Sequence, residues 1–214
     1  MSFGTYMYKI RGLMHLKRYQ NLFKFKQRSV AEHSWSVAKI AQGLAKIETQ
    51  YGNNVNMGLL LERCISHDEV ELFTGDILSK TKRITEAMKK AVDEAEIIVF
   101  NEKFTKIIPQ EWIEEYRQYI LYAKDGTLEG EILRAADIID TIFESVEEIK
   151  LGNQEDFGEI LVSVTESLIT IDLASVKYFL KENLGELGLD IREYYGENVY
   201  RFIESIKDEK SLIS

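Results

Sequence analysis

The chain has 214 residues, and its 36 acidic side chains outnumber its 27 basic ones, giving a formal net charge of −9. This excess of acid argues against a nucleic-acid binder, which carries a basic surface patch. The length and the 45% hydrophobic share suit one globular domain over residues 1–214. A single cysteine excludes an internal disulfide and indicates a cytoplasmic protein, and neither a membrane span nor a signal peptide is expected.

Apolar residues recur at three- and four-residue spacing without the alternation of strands, which predicts an all-α fold. Ser29 and Glu32 have the spacing of a capping box, in which each side chain accepts from the other residue's backbone N–H. Asn56 is a candidate cap for a second helix, which Gly75 would end. The predicted helices cover residues 29–48, 57–73, 84–104, 109–123, 128–150, 155–184 and 190–207.

The predicted helix 57–73 places charged groups on its apolar side. On a helical wheel, His67, Asp68 and Glu71 share one arc with Leu60, Leu61, Cys64, Ile65 and Leu72. Burying an unpaired carboxylate costs several kcal/mol, so a divalent cation, an arginine or a helix end should lie nearby. Alternatively, His67 and Asp68 pair with each other, or with a lysine, in a packed interface.

His33 adds a second imidazole to this pattern. It follows the start of helix 29–48 by one turn and falls on the apolar side with Val37, Ile40 and Leu44. Two of the three histidines of the chain therefore face the predicted core. Imidazole nitrogens and carboxylate oxygens are the usual ligands of Zn, Mn, Fe and Co, so the pattern favours a metal site over isolated core histidines.

A further carboxylate ligand would have to come from another helix, and Asp137 is a candidate. Periodicity alone favours a different role, because the wheel places Asp137 with Arg134, Asp140 and Glu144. These residues lie opposite the apolar stripe of helix 128–150, on what the pattern predicts to be a solvated face.

Three segments together resemble a known family. They are RSVAEHSWSVA at 28–38, SHDEVELFTGD at 66–76 and RAADIID at 134–140. The order of histidine, His-Asp doublet and distant aspartate resembles the HD-domain phosphohydrolases, and the surrounding residues resemble their 5′-deoxynucleotidase family, over about residues 16–152. The resemblance implies an HD-domain helical bundle with a mononuclear metal site that converts (deoxy)nucleoside 5′-monophosphates to nucleoside and inorganic phosphate.

The resemblance also implies roles for individual residues. It gives His33, His67, Asp68 and Asp137 as ligands of one divalent cation (Mn, Co, Zn, Fe or Mg), Glu71 as catalytic acid/base, and Arg18, Tyr19 and Asp76 as substrate contacts. Tyr19 stands where the family has tryptophan, and residues 77–82 lack the family's prolines, which leaves the preference for deoxyribose open. Only His15 remains as a further imidazole, so a mononuclear site is favoured over a two-metal site.

Other functions remain open from the sequence. One is an HD hydrolase of another nucleotide, either a nucleoside triphosphate or an alarmone pyrophosphate, although Arg18 and Asp76 match the sugar side of a monophosphatase. Another is a catalytically silent helical interaction protein, although the complete ligand set argues against it. The helices of residues 153–214 would serve packing or a homodimer. Lys80, Lys82 and Arg83 could attract an anion or form a solvated helix start.

Overall fold

The computed structural model describes residues 3–77, 82 and 84–206. Helices form the fold, and regular strands are absent from this part of the chain, which confirms the all-α prediction. The α-helices are α1 (Phe3–Ile10), α2 (Val30–Gln50), α3 (Met57–Ser66), α4 (Glu71–Thr74), α5 (Glu86–Glu102), α6 (Ile113–Leu121), α7 (Leu128–Lys150), α8 (Gln154–Leu168), α9 (Ala174–Tyr178) and α10 (Glu197–Ser205). Shorter 3-10 and π turns connect several of them: Arg11–Met14, Phe104–Lys106, Gln110–Trp112, Phe179–Asn183, Leu184–Leu187 and Ile191–Tyr195.

The start of α2 is the predicted capping box. The Ser29 N–H donates to Glu32 Oε2 at 2.6 Å, and the Glu32 N–H donates to Ser29 Oγ at 3.2 Å. Two backbone donors that the helix itself leaves unpaired are thereby satisfied. The bounds of α7 also agree with the prediction, and Thr127 Oγ1 caps this helix by accepting from Gly130 N at 3.3 Å.

The predicted helix 57–73 is wrong as a single element. α3 ends at Ser66, and α4 is one turn that starts at Glu71. Between them the backbone tightens, because Glu69 N–H donates to Ser66 O and Glu71 N–H donates to Asp68 O, both at 3.0 Å and both three residues back. The predicted helix 155–184 is likewise broken, between α8 and α9. Gly75 ends α4 with a φ of 74°, a backbone conformation that favours glycine.

The chain divides into two compact units. The first unit comprises Met1–Phe23, Gln27–Trp35 and Glu62–Ala123, and the second comprises Lys24–Lys26, Ser36–Leu61 and Lys124–Ser214. The single domain over 1–214 stays a prediction. Among the described residues, no helix is both long and apolar enough to cross a membrane.

The first unit has an aromatic core beside α4. Phe100 stacks on Phe104 with ring centroids 5.7 Å apart, and Phe73 meets Phe104 edge-on at 5.3 Å. Gly12 lies in the 3-10 turn Arg11–Met14 and allows this turn to approach α4 closely. A Cβ at residue 12 would lie only 2.5 Å from Leu72 Cδ1. The buried cluster consists of Tyr6, Val70, Phe100, Phe104, Ile107, Ile108, Ile113 and Ile120. This packing fixes the turn that carries Glu71.

The second unit is built on α7 and α8, which pack against each other. α7 is buried around most of its circumference, so the predicted solvated face is wrong for Asp140 and Glu144, which are 1% and 2% exposed. Glu144 accepts a hydrogen bond from the buried Lys24 ammonium, whose Nζ also lies 5.9 Å from the ring centroid of Phe157. The wheel misplaced this face because it assumes one buried stripe per helix.

Candidate metal centre

His33, His67 and Asp68 bring their ligand atoms together in the first unit. One nitrogen of each imidazole and one carboxylate oxygen all lie within 4.8 Å of one another. His33 Nε2 is 3.4 Å and His67 Nε2 is 3.2 Å from Asp68 Oδ2. Both imidazoles are buried, at 1% and 6% exposure, while Asp68 is half-buried. Two imidazole nitrogens and a carboxylate oxygen suit a divalent transition metal.

The end of α3 orients His67 for this purpose. Its Nδ1 lies 2.9 Å from the carbonyl oxygen of Cys64, one turn earlier on α3. A carbonyl only accepts, so Nδ1 carries the hydrogen and the lone pair of the neutral ring is on Nε2. That nitrogen is buried without a hydrogen-bond partner among the described residues. The arrangement is that of a metal ligand supported by a backbone carbonyl. The 3.2 Å approach of His67 Nε2 to Asp68 Oδ2 also fits the alternative of a His67–Asp68 pair, so both interpretations stand.

His33 reaches the cluster from the first turn of α2, on the buried side with Val37 and Leu44. Its Nδ1 lies 2.7 Å from Nη1 of Arg18, a residue that the sequence placed on the substrate side. Nothing in the spacing of the sequence indicated this contact, which depends on how residues 17–29 fold back. An antiparallel bridge between Lys17 and Ser29 closes that segment.

Glu71 lies one turn beyond His67, at the start of α4, and is 7% exposed. Burial raises the pKa of its carboxyl well above the usual value, and the carboxylates of Asp68 and Asp76 raise it further. The cations Lys82 and Arg18 oppose this effect but do not reverse it. These shifts favour the protonated form of the Glu71 carboxyl, which suits a group that transfers a proton.

The substrate-side residues form a connected segment. Tyr19 has a left-handed backbone with a φ of 54°, and its N–H donates to Asp76 Oδ2 at 2.8 Å. The Arg18 guanidinium lies 5.1 Å from the centroid of the Tyr19 ring. Left-handed backbone at a tyrosine is strained, and such strain persists where other contacts impose it. The structure thus brings Arg18, Tyr19 and Asp76 together.

Asp137 lies in α7, in the second unit, and is half-buried. Its Oδ2 accepts a hydrogen bond from Lys124 Nζ at 2.6 Å. The prediction that Asp137 is a metal ligand therefore depends on the family resemblance of the RAADIID segment. The cluster of close ligand atoms consists of His33, His67 and Asp68. His15, in contrast, is exposed, as expected of a histidine outside the site.

Glu69 of the first unit was not assigned a role from the sequence, whereas Lys82 was a candidate for attracting an anion or for a solvated helix start. Glu69 is buried beside Asp68 and accepts from the Tyr6 hydroxyl at 2.7 Å, and burial raises the pKa of its carboxyl to about 7. Lys82 Nζ pairs with Glu96 Oε1 at 3.0 Å. Burial alone would lower the pKa of Lys82, but Glu96 and then the site carboxylates raise it. The other two cations, Lys80 and Arg83, lie outside the described residues.

An all-α fold in which two imidazoles and a carboxylate converge beside a buried acid with a raised pKa is typical of one class, the helical metal-dependent phosphohydrolases. Comparison with solved structures agrees. An HD-domain phosphohydrolase from Listeria innocua is 35% identical, with a TM-score of 0.79 over 95% of this chain and 93% of that one. A cyanophage S-2L HD phosphohydrolase, solved with dA and one catalytic Zn²⁺ ion, shares the fold at 16% identity and a TM-score of 0.54, covering 93% of this chain and 96% of that one.

Sequence comparison defines the family within this class. The family profile described as 5′-deoxynucleotidase YfbR-like matches residues 5–187, and the chain belongs to this family. A 5′-deoxynucleotidase of Photorhabdus laumondii is 27% identical over 184 residues, which cover 82% of this chain and 92% of that protein. One from Vibrio vulnificus is 26% identical over 141 residues, covering 65% and 72%. The protein is a metal-dependent phosphohydrolase of nucleoside 5′-monophosphates.

Proposed function

We propose that hydrolysis of (deoxy)nucleoside 5′-monophosphates takes place at His33, His67 and Asp68, with Asp137 as fourth ligand of a single divalent cation. The observation that carries the proposal is the convergence of three ligand atoms within 4.8 Å. The histidine count supports one cation rather than two, because only His15 remains and it is exposed. Asp137 is included on the strength of its motif, and its Lys124 contact would give way to the cation.

A divalent cation held by these residues would lower the pKa of a bound water and polarise a phosphate oxygen. The chain's own contribution begins with holding the ligands in place. Cys64 O fixes the tautomer of His67, and α2 fixes His33 from a capped first turn. Neutral imidazoles and two carboxylates leave coordination positions open for water and substrate.

Glu71 is the proton donor of the proposed mechanism. Its raised pKa favours the protonated carboxyl, which would protonate the departing 5′ oxygen of the nucleoside. A bound cation would lower this pKa through its positive charge, whereas the carboxylates of Asp68 and Asp76 maintain the rise. Steering of the attacking water by the ionised form is the alternative role of the same residue.

Arg18, Tyr19 and Asp76 would recognise the phosphate and sugar. The planar fork of Arg18 suits a phosphate. Asp76 uses Oδ2 for the Tyr19 N–H, and its other oxygen is the candidate acceptor for a sugar hydroxyl. Tyr19 stands where the family has a tryptophan, so we propose that this ring sets the degree of preference for deoxyribose.

The proposal also covers four further properties of the protein: the metal ion, the compartment, the substrate class and the oligomeric state. The cation is one of Mn, Co, Zn, Fe or Mg; Zn²⁺ occurs in the cyanophage protein of the same fold, and the donor set suits several metals. The compartment is the cytoplasm, on the strength of the single cysteine. The substrate is a small nucleotide, without a nucleic-acid partner. The oligomer is a homodimer in which the helices of 153–214 take part, as the family resemblance implies; sedimentation velocity tests it.

The test is phosphate release from a panel of substrates. Ribo- and deoxyribonucleoside 5′-monophosphates, nucleoside triphosphates and an alarmone are each assayed with EDTA and with added Mn, Co, Mg or Zn. We expect metal-dependent release from monophosphates and none with EDTA. Preference for a triphosphate or an alarmone would point to the alternative hydrolase. No turnover with any metal would leave a silent interaction protein.

A further inference from the structure

Asp68 and Glu69 are neighbours in the chain, but their carboxyl groups have different partners. Asp68 Oδ2 lies within 3.4 Å of a nitrogen of each site imidazole. Glu69 Oε2 instead accepts a hydrogen bond at 2.7 Å from the hydroxyl of Tyr6, a residue of α1 that lies 63 positions earlier. Glu69 and Tyr6 are both buried, at 5% and 2% exposure. The mechanism proposed above gives neither of them a role.

Glu69 is also bonded to both ends of the turn between α3 and α4. Its N–H donates to Ser66 O at 3.0 Å, and its carbonyl oxygen accepts from the Leu72 N–H at 3.1 Å. The Ser66 side chain adds a hydrogen bond to the Glu69 carboxyl, next to the one from Tyr6. Glu69 therefore connects the two ends of the turn and joins the turn to α1.

The turn depends on contacts with the rest of the fold, because its own sequence favours a continuous helix. The apolar spacing of residues 57–73 predicts one helix, yet α3 ends at Ser66 and α4 starts at Glu71. Tertiary contacts override helix propensity, and the Tyr6–Glu69 hydrogen bond is such a contact at the break. Tyr6 is fixed in turn, because its ring meets the Tyr116 ring edge-on with centroids 5.4 Å apart.

Two residues of the candidate site lie in this turn. Asp68 directly precedes Glu69, and the Glu71 N–H donates to Asp68 O at 3.0 Å, so a change in the turn would move both carboxyl groups. Metal ligands and proton donors have to be held to within about 0.5 Å, and a displacement of about 1 Å can lower a rate by about 100-fold.

We propose that Glu69 is a positioning residue for the reaction: held by the Tyr6 hydroxyl, it maintains the turn that places Asp68 at the imidazoles and Glu71 one turn beyond His67. This inference rests on the proposed function in taking Asp68 as a metal ligand and Glu71 as the proton donor. It gives the buried acid of the first unit a role that acts through its two neighbours.

The first experiment compares Tyr6→Phe, which removes only the hydroxyl, with the wild type. Zn²⁺ affinity is measured without substrate by competition with a chromophoric chelator, and kcat and KM are measured at saturating Zn²⁺. We expect both the Zn²⁺ affinity and kcat to fall by about tenfold or more, as for other residues that orient a metal ligand. KM should stay within about twofold, because Arg18, Tyr19 and Asp76 lie outside the turn.

The second experiment asks whether the hydrogen bond itself positions the turn. Glu69→Gln keeps an oxygen that accepts from the Tyr6 hydroxyl, so its Zn²⁺ affinity and kcat should stay within about threefold of the wild type. Glu69→Leu loses the acceptor and should resemble Tyr6→Phe. In the double variant Tyr6→Phe/Glu69→Leu the two losses should not add, because each change removes the same bond. A Glu69→Gln variant as impaired as Glu69→Leu would contradict the proposal.

Two controls separate positioning from a general loss of stability. Tyr119→Phe removes a hydroxyl that donates to Glu115 at the same distance of 2.7 Å, within α6. Ile120→Ala truncates a member of the same buried cluster and should lower the urea midpoint of unfolding. Both should keep the Zn²⁺ affinity and kcat of the wild type.

The proposal is overturned if Tyr6→Phe and Glu69→Leu lose stability as Ile120→Ala does but keep their Zn²⁺ affinity and kcat. A wild type that binds Zn²⁺ and releases no phosphate would refute the proposed function alone, and the Zn²⁺ affinities of the variants would still decide the role of Glu69. A wild type that binds no Zn²⁺ would refute both.

Discussion

Both units bury acidic residues, but the pKa values of these residues shift in opposite directions. In the second unit, Glu148 accepts backbone N–H groups from Phe25 at 2.9 Å and Lys26 at 2.8 Å. Burial would raise the pKa of Glu148, but these donors and the Asn153 amide hold it below its usual value. In the first unit, burial raises the pKa of Glu71, and neighbouring carboxylates raise it further.

This difference distinguishes acidic residues with a structural role from acidic residues that belong to a functional site. An acid whose lone pairs are filled by N–H groups and an ammonium holds chain segments together and is chemically inert. An acid whose pKa is raised by burial and by neighbouring carboxylates is destabilised in its charged form, and such clusters are typical of sites that bind a cation or move a proton. The second unit shows the first kind of burial, and the cluster around Asp68 shows the second.

The largest effect is expected for Asp68→Ala. This change removes the carboxylate that faces both imidazoles, so the protein should lose its bound metal. We expect kcat/KM to fall by about 1000-fold or more, because a metal supplies several kcal/mol of transition-state stabilisation. Asp172→Ala, which removes an exposed acid of the second unit, is the control and should retain metal and rate. Normal metal content in Asp68→Ala would refute the ligand assignment.

Glu71→Gln should separate rate from metal binding. The amide cannot donate an acidic proton, so kcat should fall by about 100- to 10,000-fold while the metal content stays at one per chain. The wild-type kcat should fall as pH rises through the raised pKa of Glu71, because the protonated form is the active one, and the variant should lack this dependence. Metal analysis and a pH series of kcat check both points. A wild-type kcat that rises over the same range would assign Glu71 to the ionised role.

In the second unit, Lys24→Met should destabilise the protein without removing metal. It leaves Glu144 buried without its ammonium, which costs about 3–5 kcal/mol in the free energy of unfolding. The double variant Lys24→Met/Glu144→Leu replaces both charges with apolar groups and should recover most of that loss. Urea unfolding and Zn²⁺ affinity of each variant provide the measurement. A single variant as stable as the wild type would show that this pair is not structural.

The smallest effect is expected for Tyr19→Trp, which should change the selection between deoxyribose and ribose. Tyr19→Trp restores the family's larger ring, which should exclude a 2′-hydroxyl more strongly. We expect the ratio of kcat/KM for deoxyribonucleotide over ribonucleotide to rise by about tenfold, within the range that one small group provides in a pocket. Tyr19→Phe keeps the ring size and serves as control. An unchanged ratio in Tyr19→Trp would remove residue 19 from sugar selection.

Local patterns in the sequence predicted several helix ends correctly. The Ser29–Glu32 capping box, the bounds 128–150 and the glycine stop at Gly75 each depend on a few neighbouring residues, and the structure confirms them. The cluster of His33, His67 and Asp68 could also be predicted, because periodicity placed all three residues on apolar helix faces.

Contacts between distant residues were not predictable in this way. The partner of Glu144 comes from a loop 120 residues earlier, so the wheel of α7 could not show that this face is buried. The break between α3 and α4 follows from backbone turns around Asp68 that propensity does not encode. The Arg18–His33 contact depends on the fold of residues 17–29, where no periodic pattern exists.

The central claim is that this cluster binds one divalent cation. A Co²⁺ titration of the metal-free protein, followed by visible absorption, tests it directly because the spectrum reports both stoichiometry and the nitrogen and oxygen ligands. We predict saturation at one Co²⁺ per chain, with the bands abolished in His67→Ala and retained in His15→Ala. Identical spectra in the wild type and His67→Ala, or no saturable bands at all, would contradict the account.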